Sequence, residues 1–325
     1  MAQGVVVEPN TTNQTQQPGE IEQAFQEFIR EYGKRYTTSK QYHMAKDAFA
    51  ENLRTIASLR ASGDVTHEVG LNEYADVPRD VFNKAVRCVR DPEPRRLANS
   101  TFTRRVTATP PPSVDWEAAG ALAPVRKQRT LLNKCGSCYA MATAVVLESR
   151  FKLATGINKV VPFSVQQIVD CSQNFGNDGC DGGEVEDSIS YTDANGIVKA
   201  SSYPYKAKAG TCKTSITSNP TKQCVRPNQF LSTLVPPKDE AAMISEVAKG
   251  PVAVVLYAGA PAFKFYKSGI ITGKTCGVSS GNHFVTIVGY GTSPAGTPYW
   301  KIMNSWGKSW GLKGFAYIER TGNQP

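Results

Sequence analysis

Imidazole is scarce in this chain, with three histidines in 325 residues, at positions 43, 67 and 283. Chemistry after residue 112 that needs a base titrating near neutral pH must therefore use His283. Long apolar runs are missing too. Stretches such as Val252 to Leu256 and Phe284 to Val288 fall far short of the roughly 20 residues that cross a bilayer as a helix, so no membrane span is expected. Met1 to Asn10 lacks the basic start and apolar stretch of a secretory leader, so an export signal is either absent or not carried here. There is no internal repeat and no low-complexity tract. What the chain does have is 40 % hydrophobic and 9 % aromatic residues, enough to fill a core and to exclude wholesale disorder.

Lys and Arg outnumber Asp and Glu by 37 to 28, a net charge of +9. A basic balance alone carries no nucleic-acid-binding motif. Part of the excess, Arg87, Arg90, Arg95, Arg96, Arg104 and Arg105, sits in a Pro-containing stretch that reads as a solvated linker. No nucleic-acid partner is expected. Eight cysteines and three glycosylation acceptor patterns, at Asn10, Asn13 and Asn99, favour the secretory pathway.

Apolar residues at spacings of three and four predict two helices between Glu20 and about Arg60. The Arg- and Pro-rich stretch that follows ends at Pro110-Pro111-Pro112 and divides the chain. Beyond it, Cys138 to Leu153 reads as a buried helix, Ser164 as the N-cap of a short helix through Asp170, and Lys238 to Lys249 as another helix. Strands are predicted at Pro251 to Tyr257, His283 to Tyr290, Tyr299 to Met303 and Gly314 to Glu319. A helical half followed by a strand-rich half implies an α+β protein with two lobes and a cleft between them.

Cys138 lies at the start of the buried helix, where unpaired backbone N–H groups favour thiolate over thiol. On position alone a nucleophile and a neutral buried cysteine are equally good readings. The segment Cys135-Gly136-Ser137-Cys138-Tyr139 resembles the signature of papain-like cysteine proteases, and His283 falls within the roughly 130 to 150 residues downstream where their histidine lies. Asn304-Ser305-Trp306-Gly307 resembles the segment that carries that family's Asn and the Trp shielding it. A zinc or redox use of Cys135 and Cys138 lacks a second ligand pair and a parallel α/β setting. Neither a metal nor a cofactor is expected.

Upstream, Gly70, Asn72, Tyr74 and Asp76 resemble the short motif of the cathepsin L-type inhibitory propeptide, and Phe49, Asn52 and Ile56 part of its long-helix motif. The resemblance, over roughly residues 20 to 320, implies a papain-like fold with a helical left lobe and a β-barrel-like right lobe, preceded by an α-helical propeptide. It divides the chain into a disordered tail (1–19), the propeptide (20–82), a linker cut on activation between about Asn99 and Pro112 (83–110), and a protease domain (111–325). Within that domain residues 111–222 are mainly helical and 223–325 mainly β. Ser113-Val114-Asp115-Trp116 resembles the start of the mature enzyme.

The same resemblance implies the disulfides Cys135–Cys180 and Cys171–Cys212. The family's remaining bridge needs a cysteine after Asn304, and none follows, so Cys276 is expected to pair with Cys224 instead. That leaves Cys138 over as the nucleophile and Cys88 as a spare thiol without catalytic importance. The implied activity is peptide hydrolysis through an acyl-enzyme on Cys138, with His283 as acid and base, Asn304 orienting it, and an oxyanion held by the Cys138 N–H and a glutamine. The family places that glutamine where this chain has Leu132. Gln128, four residues further back, is the candidate, with Asn133 in reserve, and the displacement implies an insertion beside the cleft.

Substrate contacts are expected from Gly136, Gly182, Gly183, Asn282, Phe284 and Trp306. Phe284 stands where relatives carry Ala or Gly, so it either narrows the pocket for the substrate's second residue or points into the core. The chain stops at Pro325, short of the family's last segment. The implied protein is a lysosomal or secreted zymogen of an endopeptidase, monomeric, with peptides and proteins as substrates and cystatin-like proteins as inhibitors. An exopeptidase restricted by the insertion is a minority reading, and a catalytically weak binding or inhibitor-like protein is the alternative.

Overall fold

Two amphipathic helices, α1 (Pro18–Tyr32) and α2 (Ser39–Ala61), open a computed structural model that describes residues 18–86, 89, 109–128, 135–230, 232–276 and 280–322. Asn10, Asn13, Asn99, Cys88, most of the expected tail and cleavage region, and residues 129–134 of the insertion lie outside the described residues. The helices form because Phe25, Phe28, Ala45, Phe49 and Ile56 fall on one stripe each, and burying them together removes apolar surface from water. Phe49 stands 5.3 Å from Phe25 and 5.0 Å from Phe28, ring centre to ring centre. Thr38 starts α2 by accepting the Gln41 N–H on its hydroxyl at 3.2 Å.

The chain then returns along α2. Asn52 donates from its amide to the Ala75 carbonyl at 2.7 Å, tying the helix to the segment that carries Asn72, Tyr74 and Asp76. A short strand, β1 (Glu68–Val69), and a helix, α3 (Arg79–Val86), complete the propeptide. Helix α3 thus runs four residues past the boundary expected at 82, because Phe82 and Val86 are both buried against the β lobe.

Strand β2 (Val114–Asp115) precedes the long helix α4 (Cys138–Thr155), whose residues Cys138 to Ser149 are all buried. Gly156 ends it in the left-handed conformation, at φ 68°. Ser164 caps α5 (Val165–Cys171) through the Gln167 N–H at 3.0 Å, and α6 (Val185–Asn195) packs beside it. A ribbon of β3 (Ile197–Val198) and β4 (Gln223–Val225), with α7 (Thr214–Thr217), closes this helical lobe.

The second lobe holds α8 (Glu240–Val247), β5 (Val252–Leu256), α9 (Pro261–Lys264), β6 (Tyr266–Ser268), β7 (Ile270–Ile271), β8 (His283–Thr292), β9 (Pro298–Met303) and β10 (Phe315–Glu319). Its sheet runs β2-β8-β9-β10-β7, with β5 also paired to β8, and among the described residues it does not close into a barrel. Strand β8 is buried on both faces because α4 covers one of them. The expected division at residue 222 is crossed in both directions: β2 pairs with β8 of the β lobe, while β4 pairs with β3 of the helical lobe.

Cys135–Cys180 and Cys171–Cys212 are bonded as the resemblance implied, each closing a loop whose entropy is worth on the order of 4 kcal/mol. The expected Cys224–Cys276 bridge does not form, and both are thiols. Cys224 sits in β4 against the helical core, whereas Cys276 packs against the β-lobe core with its thiol directed at the Thr272 carbonyl, 3.5 Å away. Nothing in parity of count brings two lobes' side chains together.

The aromatic cluster of the propeptide makes Phe49→Ala a selective lesion. It is expected to cost the propeptide about 3–5 kcal/mol. Denaturant unfolding of the proform should show an early transition for residues 18–86, while protein matured from the variant unfolds like wild type.

Candidate active site

Cys138 is the first residue of α4 and is fully buried. Ser137 occupies the cap position without capping; its hydroxyl instead meets the Tyr205 hydroxyl at 2.6 Å, so the N–H groups of the first turn point at the cysteine with their dipole uncompensated. Across the lobe boundary, the Phe284 N–H donates to the Cys138 sulfur at 3.3 Å. That contact fixes the sulfur beside the first residues of β8, where His283 sits.

His283 Nε2 lies 2.8 Å from Asn304 Oδ1 and, as the donor, fixes the tautomer that leaves Nδ1 to act on the sulfur side. Asn304 follows β9 and is held by its own N–H to the Gly314 carbonyl at 2.9 Å; its Oδ1 also accepts the Ser305 N–H at 2.7 Å. The Trp306 ring covers the pair, 5.0 Å from the imidazole and 1 % exposed. Burial pushes His283 down to about 4, with the Asn304 hydrogen bond opposing, so the imidazole is neutral across the physiological range in this state. Cys138, expected to be left unpaired, is half of a disulfide here.

Gln128 is buried and fastened at four points. Its N–H donates to the Ser305 carbonyl (2.8 Å), its Oε1 accepts the Ser305 hydroxyl (2.5 Å), its Nε2 reaches the Cys135 carbonyl (3.4 Å), and its own carbonyl accepts the Tyr205 hydroxyl (2.6 Å). The insertion has therefore not carried Gln128 away from the cysteine loop. Asn133, the reserve candidate, lies outside the described residues. Tyr205 was missed by sequence reasoning, since nothing local in Tyr203-Pro204-Tyr205 marks a side chain that joins Gln128 to Ser137.

Gly136 donates to the Cys180 carbonyl at 2.8 Å, and Gly182 adopts φ 127°. At Gly183 an added Cβ would stand 2.2 Å from Asn177 Oδ1 and 2.9 Å from the Tyr139 ring, so only glycine fits. Asn282 is structural at least in part: its N–H meets the Leu256 carbonyl and its Oδ1 accepts the Ala258 N–H, both at 2.9 Å. Phe284, 5 % exposed, belongs to the apolar cluster of Cys138, Met141 and Ala142, and with Met141, Ala142 and Asn304 it also lines a small cavity.

The propeptide lies across this site. Strand β1 pairs with β6, the Gly70 N–H donates to the Phe265 carbonyl at 2.9 Å, and the Asn72 amide donates to the Lys264 carbonyl at 2.6 Å. Tyr74 and Phe82 place their rings 5.5 and 5.4 Å from Trp306, edge to face, and Val89 packs against the helical-lobe cluster. The chain thus passes from the β lobe, over Trp306, to the helical lobe. Lys264 of the enzyme is buried beneath it, donating to the Val77 carbonyl at 3.1 Å with its ammonium 4.6 Å above the Phe82 ring; burial lowers it to about 7. Asp76 does not bridge to the enzyme, as acid release of the propeptide first suggests. It pairs with Lys34 (2.7 Å) and accepts the Tyr36 hydroxyl (2.8 Å), both within the propeptide. Acidic contacts to the enzyme come from Glu73, which accepts from Lys127 and Ser309, and from Glu68, which accepts the Ser268 hydroxyl at 2.7 Å.

Residues 110–324 match the family described as papain family cysteine protease, and residues 25–82 match the cathepsin propeptide inhibitor domain (I29). The chain belongs to the papain family of cysteine proteases. Pro-cathepsin H of Bos taurus is 35 % identical over 304 residues, covering 92 % of this chain and 85 % of that one; vignain of Phaseolus vulgaris is 35 % identical over 289 residues, covering 86 % and 74 %. Among solved structures, digestive procathepsin L 3 of Tenebrio molitor larval midgut superposes with a TM-score of 0.79 at 28 % identity over 93 % of this chain and 94 % of that one. The recombinant stem bromelain precursor gives 0.78 at 29 % identity, covering 92 % of each chain. The protein is a zymogen of a papain-like cysteine protease with its own propeptide as inhibitor, and the binding-protein alternative is not favoured.

The fastening of Gln128 holds its amide against the Cys135 carbonyl, three residues before Cys138. In matured protein, Gln128→Ala is expected to lower kcat roughly 10²-fold with little change in KM, as for an oxyanion donor used mainly in the transition state. Steady-state hydrolysis of a peptide substrate measures it; an unchanged kcat would remove Gln128 from the site.

Proposed function

We propose that the matured domain is an endopeptidase in which Cys138 is the nucleophile, His283 the acid and base, and Asn304 the residue that orients the imidazole. The observation that supports this most is the buried His283–Asn304 hydrogen bond under Trp306, next to a sulfur seated at a helix N-terminus. With the propeptide gone and the thiol reduced, Cys138 gives its proton to His283 and attacks the scissile carbonyl. The oxyanion is held by the Cys138 N–H and the Gln128 amide, His283 protonates the leaving amine, and water enters by the reverse route to release the acyl group. Asn304, being neutral, keeps the ring angle without drawing the charge away from the ion pair. Gly182 and Gly183 let the substrate backbone approach, and Gly136 and Trp306 border the same cleft.

Maturation is proposed to occur by cleavage between about Asn99 and Pro112, whose Arg- and Pro-rich composition offers nothing to bury. Entry into the secretory pathway, with lysosomal or extracellular residence and glycosylation at the acceptor asparagines, is supported by the cysteine bridges. Cystatin-like inhibitors and a monomeric state belong to the same reading. The test is Cys138→Ala in matured protein: peptide hydrolysis should vanish while thermal unfolding stays within a few degrees of wild type, and retained hydrolysis would refute the assignment.

Acid should loosen the propeptide through His67. Its imidazole meets the Ala262 carbonyl at 3.0 Å and the Tyr266 ring at 5.7 Å, and its Nδ1 is buried without a partner. Burial holds its pKa below the ordinary 6.5, the Ala262 contact opposing. A depressed histidine contributes stability that is present above its ordinary value and lost as pH falls through that value towards the folded one. With a thiol reductant present, propeptide release should accelerate from pH 7 to pH 5. His67→Gln, which keeps a donor for Ala262 but does not titrate, should reduce that acceleration by roughly threefold to tenfold; the half-time of processing at the two pH values reads it directly.

A further inference from the structure

The enzyme holds Glu73 of the propeptide at both carboxylate oxygens: Oε2 accepts from the Lys127 ammonium, and Oε1 accepts the Ser309 hydroxyl at 2.5 Å. Backbone sets the two donors in place. The Gln128 N–H donates to the Ser305 carbonyl at 2.8 Å and the Gly307 N–H to the Arg126 carbonyl at 3.0 Å, so Lys127 and Trp306 face each other as partners of an antiparallel bridge. Gly307 has φ 84°, and a Cβ there would stand 3.2 Å from Lys127 Cδ; glycine thus lets the lysine stem lie along this loop. The Lys127 side chain is 43 % exposed even with Glu73 seated on it, whereas that of Glu73 is 13 % exposed. Lys308, exposed and next in sequence to Ser309, adds a second positive charge to the same loop.

The place of this pair relative to the scissile bond follows from the proton path. His283 delivers a proton to the leaving amine, so the residues after the scissile bond depart over the imidazole, and Trp306 stands on that imidazole with ring centres 5.0 Å apart. Residues before the bond run instead along Gly182 and Gly183 of the helical lobe. Tyr74, next to Glu73, packs its ring 5.5 Å from that of Trp306. Glu73 therefore lies on the leaving-group side of the cleft, a carboxylate lodged where a substrate side chain passes. We propose that Lys127 and Ser309 form an anion-selecting subsite, freed when the propeptide leaves, that gives the matured protease a preference for Glu or Asp among the first three residues after the scissile bond. Extended chain advances about 3.3 Å per residue, so those three residues sweep about 10 Å beyond the amine. An ammonium and a hydroxyl read a side-chain carboxylate whichever way its backbone runs, so the propeptide and a substrate can use the same two donors. The inference rests on the roles of Cys138 and His283 proposed above.

The test compares peptides identical but for Glu or Gln at one position, taken in turn as the first, second and third after the scissile bond. Proform matured by acid and a dithiol is assayed at about pH 6.5, where a glutamate side chain is ionised. At one of the three positions kcat/KM for the Glu peptide is expected to exceed that for the Gln peptide about threefold to fivefold at low salt, as for an exposed ion pair, and the ratio should shrink with added salt. Lys127→Met should bring the ratio to about one, and Lys127→Glu should invert it and favour a Lys peptide over its Gln counterpart. Ser309→Ala, which removes only the second donor, should give an intermediate ratio. A wild-type ratio of about one at all three positions overturns the proposal, as does a preference for Glu that persists in Lys127→Glu. If the wild type cleaves none of the peptides, what has failed is the reading of Cys138 and His283. The subsite is then judged by equilibrium binding of the same pairs, where a Glu peptide bound more tightly than its Gln counterpart supports it and equal binding overturns it.

Discussion

The contact between the first turn of α4 and the first residues of β8 is the constraint on which the rest depends. A cysteine at the start of a helix in one lobe, and a histidine at the start of a strand in the other, act together only if the lobes are fixed to within a fraction of an ångström. Here the fixing is done by backbone and by apolar packing: the Phe284 N–H reaches the Cys138 sulfur, and α4 covers the inner face of β8 with side chains buried along three full turns. Phe284 joins that seam with its ring, so what resembles a pocket residue in sequence also contributes to the lobe interface. Around this contact, Asn304 and Ser305 serve two masters, since one orients His283 and the other holds Gln128.

The propeptide exploits the same aromatic cluster that the enzyme uses to shield its histidine. Tyr74 and Phe82 add edge-to-face contacts to Trp306, which already packs on Phe263 and Trp310, so inhibitor and enzyme share one core. Backbone pairing of β1 with β6 and the Asn72 amide set the register, and the buried Lys264 and His67 make the seam respond to protons. Protonation at His67 weakens such a seam, because its Nδ1 is buried without a partner to take the added proton, whereas Lys264 has Asp76 nearby and the Phe82 and Phe265 rings beneath its ammonium.

Most of the fold was legible in the sequence because local signals and burial agreed. The Ser164 cap, the Gly-ended α4, the strands of the second lobe and the helices of the propeptide all appear within a few residues of their expected ends. The short motifs around Cys138, His283 and Asn304 come together in the structure, through the His283–Asn304 hydrogen bond and the Phe284 N–H on the Cys138 sulfur. What failed was inference by count. Cys224 and Cys276 were matched because two cysteines remained, but β4 pairs within the helical lobe and keeps them apart. The same count left Cys138 over, although it is oxidised in the proform. The motif that contains Asp76 does not show its partners, because Lys34 and Tyr36, more than thirty residues upstream, turn towards it. Tyr205 was invisible since its role depends on two carbonyl and hydroxyl partners distant in sequence.

The central claim is that Cys138 works as a thiolate held by His283, and the pH dependence of its alkylation in matured, reduced protein tests it most directly. An ordinary thiol of pKa about 8.5 loses reactivity roughly tenfold for each pH unit below that value, or about 10³-fold by pH 5.5. The account predicts that haloacetamide modifies Cys138 at pH 5.5 within about tenfold of its rate at pH 8.5, and that His283→Ala restores the steep loss. A steep loss in the wild-type enzyme, indistinguishable from that of the variant, would contradict it.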